Sequence, residues 1–542
     1  MIFKSLYPNI EIPFQGIYQY ITSNPNGIKD DKTIFIDGIT GRKLTYGALK
    51  SYSKKFAAGL IDKADFKCGD VLAMYSPNQI DYLIILLGAI AAGGKVTPAN
   101  PMYTVDEFTN QLKDSRAKYI AVSPPFLSKA IKAAAAANIP VSNIFLFGDK
   151  EIDGIKSYSS LISKREAIPI EYSSEEAKST TAYLCYSSGT TGRSKGVETT
   201  HANMVANVHQ IHNVEGVIDD ESIYLSVLPF FHIYGLLFFV HLVILKGATI
   251  VIMPKFDLTT FCRIIQEYKI NAIPVVPPII VLLVKHPIAR KYDLSSLNIC
   301  LSGAAPLSKE LAEEFNKMYN IQIKQGYGLT ESPITHVSAT DLVIHGSVGR
   351  LLPNMECKIL SQGGEELGYN QPGELCIRGP TVMKSYLNNK AATDACIDPE
   401  GWLHTGDIAT VDETGNFYIV ERVKELIKYK GFQIPPAELE SLLLTHPSIA
   451  DAAVIGIYSN QEATEYPVAY VVLQQNIPKS DQLKEEIKGF IAQNVANYKK
   501  LRGGVLFIDQ IPKSESGKIL RRILRERIKT EHPLYKFPAH KL

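Results

Sequence analysis

Short apolar runs alternate with helix-period segments along most of this chain, and that alternation restricts the fold more than any other feature. The run "VLAMYS" (71–76) precedes "DYLIILLGAIAAGG" (81–94), which is followed by "KYIAV" (118–122) and an alanine-rich segment predicted as helix over 132–138. Such a pattern calls for parallel strands joined by crossover helices, because parallel neighbours cannot be linked by a tight turn. After Arg350 the pattern changes. Residues 351–420 carry short alternating stretches with glycine turns, such as "GELCIRG" and "TVDETGNFYIV", which read as antiparallel β-structure. Beyond Lys424 helices and strands mix: helix "PAELESLLLTHP", strands "ADAAVIGIY" and "YPVAYVVLQ", helix "QLKEEIKGFIAQNVANY" and a final basic helix "KILRRILRERIK". In that last segment Ile519, Leu520, Ile523, Leu524 and Ile528 form one apolar stripe, which predicts packing onto its own domain with a solvated basic face.

The expected fold class is therefore α/β: a large N-terminal domain of parallel sheets with helices, a distorted antiparallel β-subdomain, and a small mobile α+β C-terminal domain. The boundary falls between 1–422 and 423–542. A chain of 542 residues is too long for one core, which agrees with this division.

Composition removes several function classes. A net charge of +2 offers no electrostatic footprint for nucleic acid. The longest apolar runs, 82–94 and 233–245, fall short of the ~20 residues of a membrane span, so no transmembrane segment is expected. The start "MIFKSLYPNIEIPF" has no signal-peptide core. Seven cysteines with no CxxC pair argue against a disulfide framework or a zinc site. The last three residues, His540, Lys541 and Leu542, are similar to the peroxisomal address SKL, so peroxisomal import through its receptor is expected, with the cytoplasm as the alternative.

One segment carries chemistry. "AYLCYSSGTTGRSKGV" (182–197) runs from an apolar strand into a loop of glycines and hydroxyls with one lysine, Lys195, and then to a helix over 201–211 capped by Thr200. Backbone amides and hydroxyls of such a loop can converge on an anion. The P-loop pattern GxxxxGK[ST] is not met, because the order is Gly192, Arg193, Ser194, Lys195, Gly196. A P-loop hydrolase of nucleoside triphosphates is thereby disfavoured.

Five segments in order resemble the adenylate-forming enzymes, the group of acyl-CoA synthetases, firefly luciferase and peptide-synthetase adenylation domains. "SSGTTGRSKGV" is similar to their phosphate loop, "QGYGLTES" to their adenine and magnesium segment, and "GWLHTGD" to their ribose segment. "ERVKELIKYKGFQI" is similar to their hinge, and "PKSESGK" to their terminal lysine motif. "GELCIRG" with "KELIKYKGFQIPPAELE" looks most like the 4-coumarate:CoA ligase group and its peroxisomal relatives.

The resemblance implies an ATP-dependent acid:CoA ligase that uses ATP, Mg2+ and CoA. Its acid would be aromatic, of the cinnamate type, or of medium chain length; the alternative is a luciferase-like oxygenase working through acyl-AMP. It further implies that Ser187, Ser188, Gly189, Thr190, Thr191 and Lys195 hold phosphates, and that Gln325, Gly326, Tyr327 and Thr330 contact adenine and the α-phosphate. Glu331 would bind magnesium, Asp407 and Arg422 the ribose, and Lys424 would be the pivot. Lys518 would serve adenylation and Lys428 the thioester step, while Lys255, Lys430 and Gly431 would contact CoA. His232, Tyr234, Phe238 and Ala304 would shape the acid pocket, with His232 as gate. Three positions depart from the family pattern: Arg193 and Ser194 replace Leu-Pro, Glu421 replaces an aspartate, and Phe238 replaces a small polar residue of plant coumarate ligases.

Overall fold

The computed structural model describes residues 1–187, 194–214, 218–305, 307–339, 343–430, 432–459, 462, 464–514 and 517–531. Among these, the strands form two large sheets and three smaller ones. In the first large sheet Lys95–Ala99, Val71–Tyr75, Tyr119–Val122 and Ile144–Leu146 run parallel, and Thr181–Ser187 pairs parallel with Lys95–Ala99. In the second, Thr33–Asp37, Thr249–Ile252, Ile223–Ser226, Ala272–Val275, Ile299–Ser302 and Ile323–Tyr327 are successive parallel neighbours. The predicted α/β architecture is present. Helix Asp81–Ala91 is buried on every face, as its continuous apolar sequence requires. Gly88 permits that burial, because a Cβ there would lie 2.7 Å from the Phe56 ring.

Ile2–Lys4, Glu356–Leu360, Gly373–Arg378, Leu403–Val411 and Phe417–Arg422 form an all-antiparallel sheet. The predicted β-region after Arg350 is thus found, completed by a strand from the extreme N-terminus. In the C-terminal part Ile449–Ser459 pairs with Thr464–Leu473, which takes Gly504–Phe507 as a parallel neighbour. Two apolar clusters lie on this small sheet, distinct from the large core.

Three expectations need correction. The loop after Thr181–Ser187 does not lead straight into a helix; the chain returns as the antiparallel strand Lys195–Thr200 before helix His201–Val214 begins. The buried Val197 and Thr199 draw this return into the sheet. The alanine-rich helix spans Leu127–Ala136, starting earlier because the turn Pro124–Phe126 leads directly into it. The last helix is Arg521–Glu531; Leu524 and Ile528 are buried, whereas Ile523 faces solvent and Ile519 precedes the helix. Its basic face is only partly solvated. Arg521 donates to both oxygens of Glu440 at 2.8 Å and to the Val454 carbonyl, while Glu440 accepts from the Val454 amide.

Glu440 is 8% exposed, and burial pushes its carboxyl upward against the pull of Arg521. Removing one member of such a pair leaves an uncompensated buried charge. Arg521→Ala should therefore cost about 3–5 kcal/mol of stability, read by chemical denaturation, whereas Lys390→Ala on an exposed helical pair should leave the midpoint unchanged. Equal, small effects of both would refute the structural weight given to the Arg521 pair.

Candidate active site

The cleft lies where the carboxyl ends of the central strands of the second large sheet meet the small C-terminal region, the general location of ligand sites in open α/β sheets. Strand Ile299–Ser302 delivers Gly303 and Ala304, and strand Ile323–Tyr327 delivers Gln325, Gly326 and Tyr327 to its walls. Of the other residues expected at the site, Thr330, His232, Tyr234, Phe238 and Lys518 also line the cleft, whereas Ser187, Lys195, Glu331, Asp407 and Arg422 are not in its lining.

Backbone geometry explains the small residues. A Cβ on Gly328 would sit 1.7 Å from the Pro333 carbonyl oxygen, so the turn after Tyr327 closes on itself only with glycine there. The same turn is clamped from behind, since Asn207 of helix His201–Val214 donates to the Ile334 carbonyl at 2.6 Å and accepts from the Ile334 amide. Thr200 accepts from the Asn203 amide and caps that helix, as its sequence predicted.

Asp407 is 3% exposed and is not itself among the residues lining the cleft; it stands behind one of them, Tyr327. The Tyr327 hydroxyl donates to its Oδ2 at 2.7 Å, and Arg422 Nε approaches its Oδ1 at 3.1 Å. Asp407 and Arg422 are direct cross-strand partners. Burial pushes the Asp407 carboxyl upward; the guanidinium and the hydroxyl pull it back. Glu421 beside it accepts from the amides of Arg422 and Ala437, at 2.9 and 3.0 Å, and so ties this strand to the start of helix Pro436–Leu444.

Lys518 arrives from the far end of the chain. Gly517 adopts φ +77°, and a Cβ there would lie 2.9 Å from Val276, so only glycine allows the loop to dock this closely. Burial and Arg422 push the ammonium below the ordinary lysine range, with Asp407 and Glu331 acting against them. Lys285, from the large core, donates to the carbonyls of Leu444 and Ile449 and further anchors the C-terminal region.

His232 is neutral: burial and the Lys518 charge lower it from 6.5 to about 3. The Tyr234 amide donates to its Nδ1 at 3.3 Å, which leaves the proton on Nε2. Phe238 packs edge-on against Tyr224 and Tyr234, with ring centroids 5.4 and 6.2 Å away, and forms an aromatic wall. Ala304 also lines the cleft, with a left-handed φ of +68°.

Lys195 and Ser187 face each other as cross-strand partners at the mouth of the glycine loop; Ser188, Gly189, Thr190 and Thr191 lie outside the described residues. Lys195 Nζ sits 4.6 Å from the ring centre of Tyr386, whose hydroxyl donates to Glu331 Oε1 at 2.7 Å. Tyr386 thereby links the loop lysine to the candidate metal carboxylate. No sequence signal marks it, since it reaches the site through the short strand Ser385–Tyr386 paired with Lys195–Thr200.

Other candidates lie apart. Lys424, Lys428, Lys430 and Lys255 are exposed and outside the cleft. Lys428 sits on the hairpin Ile427–Tyr429 with Phe432–Ile434, and Lys430 pairs with Glu462 at 2.7 Å. Gly431 lies outside the described residues.

Two α/β sheets meeting a small, lysine-bearing C-terminal unit is the architecture of adenylate-forming enzymes. The chain belongs to the AMP-binding enzyme family: residues 25–387 match that family and 438–518 match the AMP-binding enzyme C-terminal domain. It is 40% identical over 543 residues to "Probable 4-coumarate–CoA ligase 1" of Dictyostelium discoideum, covering 97% of each chain. It is also 40% identical over 544 residues to 4-coumarate–CoA ligase 1 of Petroselinum crispum, again covering 97% of each. A crystal structure of the anthranilate CoA ligase AuaEII with anthranoyl-AMP has the same fold, with TM-score 0.87 at 23% identity over 96% of this chain and 98% of that one.

The buried imidazoles weaken the fold as the pH falls. Burial holds His201 at about 4 and His232, His241 and His336 at about 3, whereas each titrates near 6.5 when unfolded. Between those limits the unfolded chain binds more protons. Their contribution is therefore fully present above 6.5 and is lost progressively as the pH falls toward their folded values. Urea midpoints should drop between about pH 7 and about pH 5; a midpoint that rises would contradict buried neutral imidazoles.

Proposed function

We propose that this chain is an ATP-dependent acid:CoA ligase. A carboxylate oxygen attacks the α-phosphorus of ATP, the bond to the bridging oxygen breaks, and pyrophosphate leaves. The CoA thiolate then attacks the acyl carbon of the acyl-AMP, and AMP leaves with the electron pair of the anhydride oxygen. The observation that carries this reading is the convergence of Lys518, held desolvated by the Gly517 loop, with neutral His232 and Tyr327 in one cleft, where the Asp407–Arg422 pair is joined to them through the Tyr327 hydroxyl.

The residues divide the work as follows. Asp407 accepts from the ribose hydroxyls while Tyr327 and Arg422 hold its orientation. Lys518, charged in a dry site, stabilises negative charge gathering between the carboxylate and the α-phosphate. His232 offers an Nε2 proton without adding charge, which suits a group beside an incoming carboxylate. Ser187 and Lys195, with Ser188, Gly189, Thr190 and Thr191, receive the phosphates that leave. Gln325, whose Nε2 has no protein partner among the described residues, Gly326 and Thr330 border the nucleotide. Glu331 offers a hard oxygen donor that fits magnesium, with one oxygen already held by Tyr386. The ion would neutralise phosphate charge.

The aromatic pair Tyr234 and Phe238, with the small Ala304 in the same lining, favours a flat or slender apolar acid, aromatic or of medium chain length. Exposed Lys428 and cleft-bound Lys518 belong to one C-terminal domain, 423–542, which we take to rotate about Lys424 against 1–422 between the two steps. CoA then meets Lys255, Lys430 and Gly431. The relatives named as 4-coumarate–CoA ligases support the thioester step.

Lys518→Ala should lower acid-dependent pyrophosphate release by about a hundredfold or more yet spare thioester formation from supplied acyl-AMP, and Lys428→Ala should do the reverse. Equal loss of both steps in each variant would refute the two-position reading. The first assay is pyrophosphate release with a panel of cinnamic, benzoic and fatty acids, with and without CoA; pyrophosphate with no thioester from any acid would overturn the ligase assignment. The same reading includes peroxisomal import through His540, Lys541 and Leu542, which lie outside the described residues. Deleting them should move a tagged chain to the cytosol, and unchanged peroxisomal location would refute their role.

A further inference from the structure

On the strand that carries Asp407, and outside the cleft lining, the antiparallel sheet gathers three metal-capable side chains from two strands. Strand Gly373–Arg378 supplies Glu374 and Cys376, and strand Leu403–Val411 supplies His404, directly opposite Cys376. The register slips between Glu374 and Cys376. Their donor atoms all lie within 4.8 Å of one another. Cys376 Sγ is 3.4 Å from His404 Nδ1, and Glu374 Oε2 is 3.2 Å from the same nitrogen.

Hydrogen bonding alone leaves this group frustrated. If Nδ1 carries the proton, it donates to Glu374 and leaves the Cys376 sulfur as no more than a weak second acceptor. If Nδ1 is bare, it accepts from the thiol while its lone pair points toward a carboxylate. Neither neutral tautomer gives both neighbours a full-strength hydrogen bond. A cation accepting three lone pairs engages both, and the spacing suits one. Metal bonds of 2.0–2.3 Å in a tetrahedron place donor atoms about 3.3–3.6 Å apart, and the two observed separations fall at that scale.

The surroundings complete the pattern. His404 Nε2 faces Asp398 Oδ2 at 3.8 Å, and Lys358 approaches the same carboxylate oxygen at 3.8 Å. A carboxylate behind the far nitrogen is the usual support of a metal-bound imidazole. The other Glu374 oxygen accepts from the Gly406 amide at 3.1 Å, so its Oε2 is the one turned to His404. Cys376 is buried, while the side chains of Glu374 and His404 are 29% and 32% exposed, which leaves a way in.

We propose that Glu374, Cys376 and His404 form a three-donor site for a zinc-class divalent ion, with water as fourth ligand, that staples the two strands beside Asp407. Thiolate, imidazole and carboxylate together select zinc or cobalt over magnesium or calcium. The segment Thr405–Gly406–Asp407 follows directly, and it is tied to the same strand by the Thr405 hydroxyl donating to Leu375 at 2.7 Å. The staple therefore acts on the backbone that carries the ribose carboxylate.

The test is a cobalt titration of the full-length protein after chelator treatment. One equivalent of Co2+ should produce a thiolate-to-cobalt charge-transfer band with visible absorption of tetrahedral intensity, and Zn2+ should bleach both. The band should vanish in Cys376→Ser and persist in Cys68→Ser, which removes an exposed cysteine. Asp398→Asn keeps an acceptor for its turn and should weaken zinc about tenfold. An octahedral cobalt spectrum, or a band that survives Cys376→Ser, would overturn the proposal. If Cys376→Ser does not fold, Glu374→Gln retains the thiol and an acceptor for Gly406; wild-type zinc affinity in that variant would overturn the proposal equally.

Discussion

Burying the ammonium of Lys518 is the constraint on which the rest of the site depends. A lysine desolvated in an apolar cleft would ordinarily be neutral or excluded. Here it is retained by the fields of Asp407 and Glu331, while Arg422 offsets part of that attraction. Each balancing group is itself held. Asp407 takes the Tyr327 hydroxyl and Arg422, and Glu331 takes the Tyr386 hydroxyl. The charge pattern is thus built in the protein before a nucleotide arrives, which is the condition for electrostatic catalysis without reorganisation.

Glycine makes that arrangement sterically possible at two places. Gly517 brings the lysine loop against Val276 with a left-handed backbone, and Gly328 lets the turn after Tyr327 fold onto Pro333. From sequence, the glycines flanking Tyr327 suit close backbone approach. At Gly328 the requirement is internal, because the neighbouring carbonyl already occupies the space a side chain would need.

Charge outside the cleft is organised differently. Arg521, which the apolar stripe of the last helix assigns to a solvated face, instead reaches inward to Glu440 and the backbone of Val454. Periodicity reports which residues of a helix are apolar. It does not report which polar residues find a partner across a sheet.

The sequence by itself determined the alternation of strands and helices, the antiparallel region after Arg350, and the order of five motifs that place the chain among adenylate-forming enzymes. These are local signals, carried by spacing and residue type over short windows. Only the tertiary structure decided that Lys195, Tyr386 and Glu331 form one connected group, that the loop after Ser187 returns as a strand, and that Lys518 occupies the cleft while Lys428 stands outside it. It also brought Glu374 and Cys376 to His404 across two strands, where no ligand spacing is legible. Such juxtapositions depend on sheet register and on how closely two backbones can approach, and both are properties of the packed chain rather than of any segment.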